Sequence, residues 1–243
     1  MAYASASNIE WRVYGHLDFG VSHDLDHGIA EWRELKGVLC QYGITRFGTC
    51  VEVGCGAGRL TNALAQDFQA TWALDVSPER ILQVSRVPNA ARIHPILVDK
   101  PVIPLQDNTV DLCTSTHVFQ HISDMTIVNA YLQEMFRVLA PGGCILIHVP
   151  VVGAHGFSGR LSQIVRRRAK ELAKDLALPL FRVLIAAGIS SLPKIGKIGL
   201  AKYRVFEYGE IYRCLKDLGF SPIEMRFLAR AGIHSYIFAR KPL

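Results

Sequence analysis

The residues of this 243-residue chain whose types and spacing could do chemistry are three acids and a glycine loop. Glu52-Val53-Gly54-Cys55-Gly56-Ala57-Gly58 sets a carboxylate two residues ahead of three alternating glycines. Glycines there let the backbone turn tightly and approach a ligand closely, and a following helix aims its N-terminal N–H groups at the same point. A dinucleotide site would want a third glycine at position 59, where Arg59 stands, and a triphosphate loop would end in Gly-Lys-Ser/Thr; neither pattern is present. Asp75 and Asp99 end two further apolar runs. An acid closing a second strand is placed to accept hydrogen bonds from both hydroxyls of a ribose.

Those residues need strands to end on and helices to start from. Thr49 to Val53, Ala70 to Val76, Ile93 to Val98, Val110 to Ser115 and Cys144 to Val149 are short β-rich runs. Between them Leu60, Ala63, Leu64 and Phe68 recur at helical spacing, and Ser77-Pro78-Glu79 supplies a cap hydroxyl, a first-turn proline and an acid. Ser123-Asp124 caps a helix with Ile127, Val128, Tyr131, Leu132, Met135 and Leu139 on its apolar stripe, stopped by Pro141-Gly142-Gly143. Strands alternating with helices over a hundred residues predict a parallel sheet with right-handed crossovers, covered on both faces. A helix over Tyr208 to Leu218 and a hairpin of Pro222 to Leu228 with His234 to Ala239 finish the domain.

Half the residues are hydrophobic and a fifth charged, so disorder and fibrous repeats are poor explanations. Six cysteines without a Cys-x-x-Cys pair argue against a zinc knuckle and for buried, reduced thiols. Leu176 to Leu192 is broken by Pro179 and Arg182 and falls short of a spanning helix. The first residues lack the pattern of a secretory signal, which favours the cytoplasm. The net charge of +6 is unevenly spread: residues 160 to 204 hold eleven Lys or Arg against Glu171 and Asp175. Such a step suggests a segment with its own task.

Taken together, Val51 to Gly58, Leu74-Asp75-Val76-Ser77, Val98-Asp99, Asp107 to Leu112 running into His117 to Ile122, and Phe136 to Gly143 resemble the class I S-adenosylmethionine-dependent methyltransferases. The resemblance covers residues 49 to about 150 and implies an α/β Rossmann-like, doubly wound sheet of seven mostly parallel strands with an antiparallel C-terminal strand. On that reading residues 1–48 form an N-terminal helical cap, 49–152 and 207–243 the cofactor domain, and 153–206 a basic helical lid. The implied cofactor is S-adenosylmethionine, leaving as S-adenosylhomocysteine. Gly54, Cys55, Gly56 and Gly58 would pack against its methionine portion and ribose, and Glu52 would orient its amino group. Asp75 would take the ribose hydroxyls, Val76 the adenine face, Asp99 the adenine amino group, and Thr116 the methionine side. Arg33 would pair with the carboxylate, or lie on a surface helix with Tyr14 and Trp32. Lys100-Pro101-Val102 departs from the family pattern at the adenine edge.

Methyl transfer from a sulfonium is an in-line displacement, so positioning dominates, and an oxygen acceptor also has to lose a proton. His121, His148 and His117 are the candidate bases, each with packing as its alternative role. His16, Asp18, His23, Asp24, Asp26 and His27 have the residue types of a metal site, but on loop-like chain without fixed geometry they read as a solvated lid, and no metal is expected. The favoured function is methylation of a small organic acceptor at oxygen. The alternatives are carbon or nitrogen methylation of a lipid or quinone-type precursor at a membrane surface, where the basic amphipathic insertion would bind peripherally, RNA methylation, and an inactive cofactor-binding scaffold. Nucleic acid is disfavoured, since the basic stretch has little aromatic interleaving.

Overall fold

The structure is a computed structural model and describes residues 21–152, 204–227 and 234–243. Helix α1 (Val21–Gln41) precedes β1 (Thr49–Val53), α2 (Arg59–Asp67), β2 (Ala70–Asp75), α3 (Pro78–Val84), β3 (Ile93–Leu97), β4 (Val110–Ser115), α4 (Met125–Val138) and β5 (Leu139–Val152). A short β6 (Phe206–Glu207), α5 (Tyr208–Asp217), β7 (Ile223–Phe227) and β8 (His234–Arg240) complete the described chain. The strands form one sheet in the order β3-β2-β1-β4-β5-β8-β7, with β6 beside β5. Pairings from β3 through β5 are parallel, and β8 runs antiparallel to both β5 and β7.

Sequence order reverses between β1 and β4, the switch point at which a doubly wound sheet opens a crevice beyond its strand ends. The helices that frame the crevice start where their caps dictate. Ser77 Oγ accepts from Arg80 N at 3.3 Å with Pro78 in the first turn, and Asp124 Oδ1 accepts from Thr126 N at 2.8 Å. Arg137, near the end of α4, ties down the chain between β3 and β4 by donating to the carbonyls of Ile103 and Leu105 and to Asp107 and Glu134. Two cores flank the sheet. Val53, Val128, Leu132, Met135, Ile147, Ile211 and Ile237 belong to one, while Trp32, Leu35 and Leu39 of α1 join Leu60 and Leu64 of α2 and Phe68 just after it in the other. At about 1.5–3 kcal/mol for each fully buried large side chain, those α1 anchors make the helix part of the domain.

Two expectations change. The stretch holding His23, Asp24, Asp26 and His27 is helical from Val21 onward and not a loop, because Leu25, Gly28, Trp32, Leu35 and Leu39 give it an inward stripe. Pro141-Gly142-Gly143 lies within β5, which follows α4 directly. Gly142 N donates to Lys241 O and Lys241 N to Gly143 O, so the C-terminal segment satisfies this irregular stretch. Tyr14, His16 and Asp18, the basic stretch and the Arg230-Ala231-Gly232 turn lie outside the described residues. Among the described residues no helix is long and apolar enough to cross a membrane.

Candidate functional site

The loop between β1 and α2 is locked onto the end of β2. Gly54 N and Cys55 N both donate to Leu74 O, at 2.7 and 3.0 Å. The Asp75 carboxylate accepts from Gly56 N at 2.8 Å through one oxygen and from Ser77 N at 2.9 Å through the other. Each oxygen keeps a second lone pair, so the group is oriented without being consumed. Gly54 has φ 76°, and a Cβ on it would lie 2.2 Å from Val118 Cγ2. A Cβ on Gly56 would meet nothing within 4 Å, so its backbone borders open space.

Gly54 of the same loop borders a cavity of about 220 Å³ lined also by Asp75, Val76, Asp99, His117 and His121, among others. Val98, Ile122 and Ile127 give it apolar walls, and Lys100 and Pro101 sit at its edge. An apolar slot with one oriented carboxylate within it and a second acid at its edge fits a flat purine joined to a ribose.

The comparisons with known proteins agree with that geometry. Residues 51–147 match the family described as a methyltransferase domain. Residues 51–147 are thus similar to the methyltransferase domain family over about two fifths of the chain. The chain is 36% identical over 104 residues to the malonyl-[acyl-carrier protein] O-methyltransferase of Serratia marcescens, covering 43% of this chain and 39% of that protein. It thus spans about two fifths of the length of the curated relatives it matches. Its fold is similar to that of a SAM-dependent methyltransferase from Aquifex aeolicus (TM-score 0.51, 18% identity, 85% of this chain and 88% of that one). A Methanosarcina mazei SAM-dependent methyltransferase gives a TM-score of 0.58 at 17% identity, covering 84% and 97%.

The methyltransferase domain sorts the expected site residues into three places. Gly54, Asp75, Val76, Asp99, His117 and His121 line the cavity. Cys55, Gly56, Gly58, Glu52 and His148 are not among its lining residues. Cys55 is buried, with its thiol pushed up by burial, and Gly58 packs on Val84 and Val87. Thr116 is buried outside the cavity lining, and Arg33 is exposed on α1, also outside it.

Glu52 faces the α1 and α2 side, fully buried, with Oε2 accepting from Thr61 Oγ1 at 2.6 Å. Burial pushes its carboxyl up to about 8, against the hydrogen bond from Thr61 and the charge of Arg59. His121 is half-buried, and loss of water holds its imidazole below the ordinary value, which favours the neutral, proton-accepting form. His117 has a left-handed backbone (φ 60°), a rare conformation for a residue other than glycine, and its ring lies 4.1 Å from that of buried His148. The His148 ring in turn meets Tyr236 edge-on at 5.2 Å.

Sequence reasoning missed Tyr131, Ile127 and Val118 as lining residues. Ile127 and Tyr131 are four apart on α4, a spacing that reads equally as core, and burial and the Asp75 charge push the Tyr131 phenol up to about 12. Also missed was a cluster at the start of α2, where Glu31 of α1 accepts from both Arg59 and Tyr236 Oη.

Proposed function

We propose that this chain transfers a methyl group from S-adenosylmethionine to an oxygen of a small organic acceptor. Bound in the cavity, that cofactor supplies a methyl group activated by a sulfonium. Asp75 would hold the ribose, Val76, Val98 and Ile122 would cover the adenine, and Gly54 and Gly56 would let the chain close against the methionine portion. The observation that carries the oxygen assignment is the pair of imidazoles, His117 and His121, on the wall of the same cavity. A hydroxyl acceptor is a weak nucleophile until it loses its proton, and a neutral imidazole beside it accepts that proton as the methyl is displaced. The O-methyltransferase names of the relatives support the same atom.

Methyl transfer from labelled donor to a panel of phenols, alcohols, carboxylic acids and amines tests this reading. Labelled ether or ester products would support it, and label confined to the amines would reject it. His117→Ala and His121→Ala refine the result. A hydroxyl acceptor needs a base, so at least one variant should lose most of kcat, by roughly 10²- to 10⁴-fold. A carboxylate acceptor, such as the malonyl group in the relatives' name, is already ionised and would be spared that loss.

A further inference from the structure

We propose that buried His148 is a positioning residue: it braces the His117 ring on the cavity wall and makes His117, not His121, the group that takes the acceptor's proton. The inference rests on the oxygen-methylation reading and names which wall imidazole acts and what holds it. In that step the acceptor's O–H proton passes to a ring nitrogen of His117, giving an imidazolium. The hydroxyl oxygen bonds to the methyl carbon as the carbon–sulfur bond breaks and its electron pair stays on sulfur.

The two wall histidines are held differently. His121 Nε2 lies 3.2 Å from Gln120 Nε2. An amide nitrogen only donates, so this ring nitrogen accepts, its lone pair is engaged, and the proton of the neutral ring sits on Nδ1. His121 therefore offers an incoming hydroxyl a donor. His117 is exposed on the same wall, on a turn fixed by its left-handed backbone and by Val118, which packs so closely on Gly54 that a Cβ there would lie 2.2 Å from Val118 Cγ2. A fixed turn still leaves the angles of an exposed side chain to be set by what it touches. The His117 ring touches that of His148, with centroids 4.1 Å apart and planes tilted by 50°. His148 can serve as a brace because it is itself held. It is 2% exposed on β5 and directly opposite Tyr236 of β8, so the two side chains share one face of the sheet. The Tyr236 ring meets it edge-on at 5.2 Å, and Tyr236 Oη donates to Glu31 of α1. A loop side chain thus leans on a strand side chain whose place is set by sheet register and by α1.

The test takes the phenol or alcohol of the panel that is methylated fastest and reads kcat, acceptor KM and S-adenosylhomocysteine affinity. His148→Ala should lower kcat by roughly 10- to 100-fold, the cost of a misplaced base, and leave acceptor KM and cofactor affinity within about threefold. Made in a His117→Ala background, the same substitution should change kcat by less than about threefold, because a brace does nothing once the ring it holds is gone. His148→Phe keeps a flat ring and should recover most of the loss; His148→Leu fills the space without one and serves if the alanine variant does not fold. NMR reads the brace without turnover. The Hε1 signal of His117, assigned by its disappearance in His117→Ala, should be displaced by the neighbouring ring in the parent and in His148→Phe, and should move to the position of an unrestrained histidine in His148→Ala. Equal kcat losses from His148→Ala with and without His117, a larger loss in His121→Ala than in His117→Ala, or an unmoved His117 signal would each overturn the inference. If the protein methylates amines alone, the oxygen reading fails and this one with it; if it methylates hydroxyls and the two substitutions act independently, only this inference fails.

Discussion

Asp75 fixes the glycine loop and, on the proposed reading, also holds the ribose, and its replacement tests the two together. It accepts from Gly56 N and Ser77 N, and the residue lines the cavity. Asp75→Ala leaves two backbone donors without that partner and removes the proposed ribose acceptor. We expect S-adenosylhomocysteine affinity to fall by roughly 10- to 100-fold, since hydrogen bonds to a charged group are worth about 1.5–3 kcal/mol. Calorimetric titration checks it, and unchanged affinity would remove Asp75 from the site. Glu52 makes a prediction of a different kind. Its folded-state value of about 8 lies above the ordinary 4.5, so the folded protein holds that proton more tightly than the unfolded chain. The stability this gives is complete below the unfolded value and is lost as pH rises through about 8. Glu52→Gln keeps an oxygen for Thr61 and has no proton to lose. Its Tm relative to the parent should therefore rise between about pH 5 and about pH 9, and melting curves showing a constant difference would contradict this.

Helix α1 packs against the start of α2, just after the glycine loop, and Gly28 is where it can be dislodged. Gly28→Ala would set a methyl group against Arg59 O, a backbone atom that cannot swing aside. Either α1 shifts outward or the loop does, at a cost of about 1–3 kcal/mol, typical of overpacking. We expect a lower Tm together with weaker S-adenosylhomocysteine binding, measured on the same sample; a lower Tm with full affinity would show that α1 stabilises without shaping the site. This dependence explains what the sequence could and could not reveal. The five strands from Thr49 to Val149 and their helices were legible because apolar period, caps and glycines all act within a few residues. The acids at successive strand ends were legible for the same reason. Glu31 and Tyr236 were not, since they are 205 positions apart and only the docking of α1 against the strand beside β5 brings them together. Tyr131 was hidden differently, because one apolar stripe on α4 serves the core and the cavity wall at once.

At the scale of the molecule, cofactor binding and folding are linked, because the groups proposed to hold the ligand come from the loop before α2, from the end of β2 and from the chain after β4. An unfolded chain offers no such convergence, so S-adenosylhomocysteine should stabilise the folded state by mass action. At a hundredfold excess over Kd the gain is about 2.7 kcal/mol. For a chain of this size each kcal/mol shifts Tm by roughly 2–4 °C, so the melting temperature should rise by about 5–11 °C. NAD, which shares the adenosine but brings a diphosphate to a loop with Arg59 in place of the third glycine, should leave it unchanged. Asp75→Ala should abolish most of the shift at the same ligand concentration. A rise with NAD equal to that with S-adenosylhomocysteine would mean that the cavity reads adenosine alone, and that the far end of the crevice contributes nothing to choosing between the two cofactors.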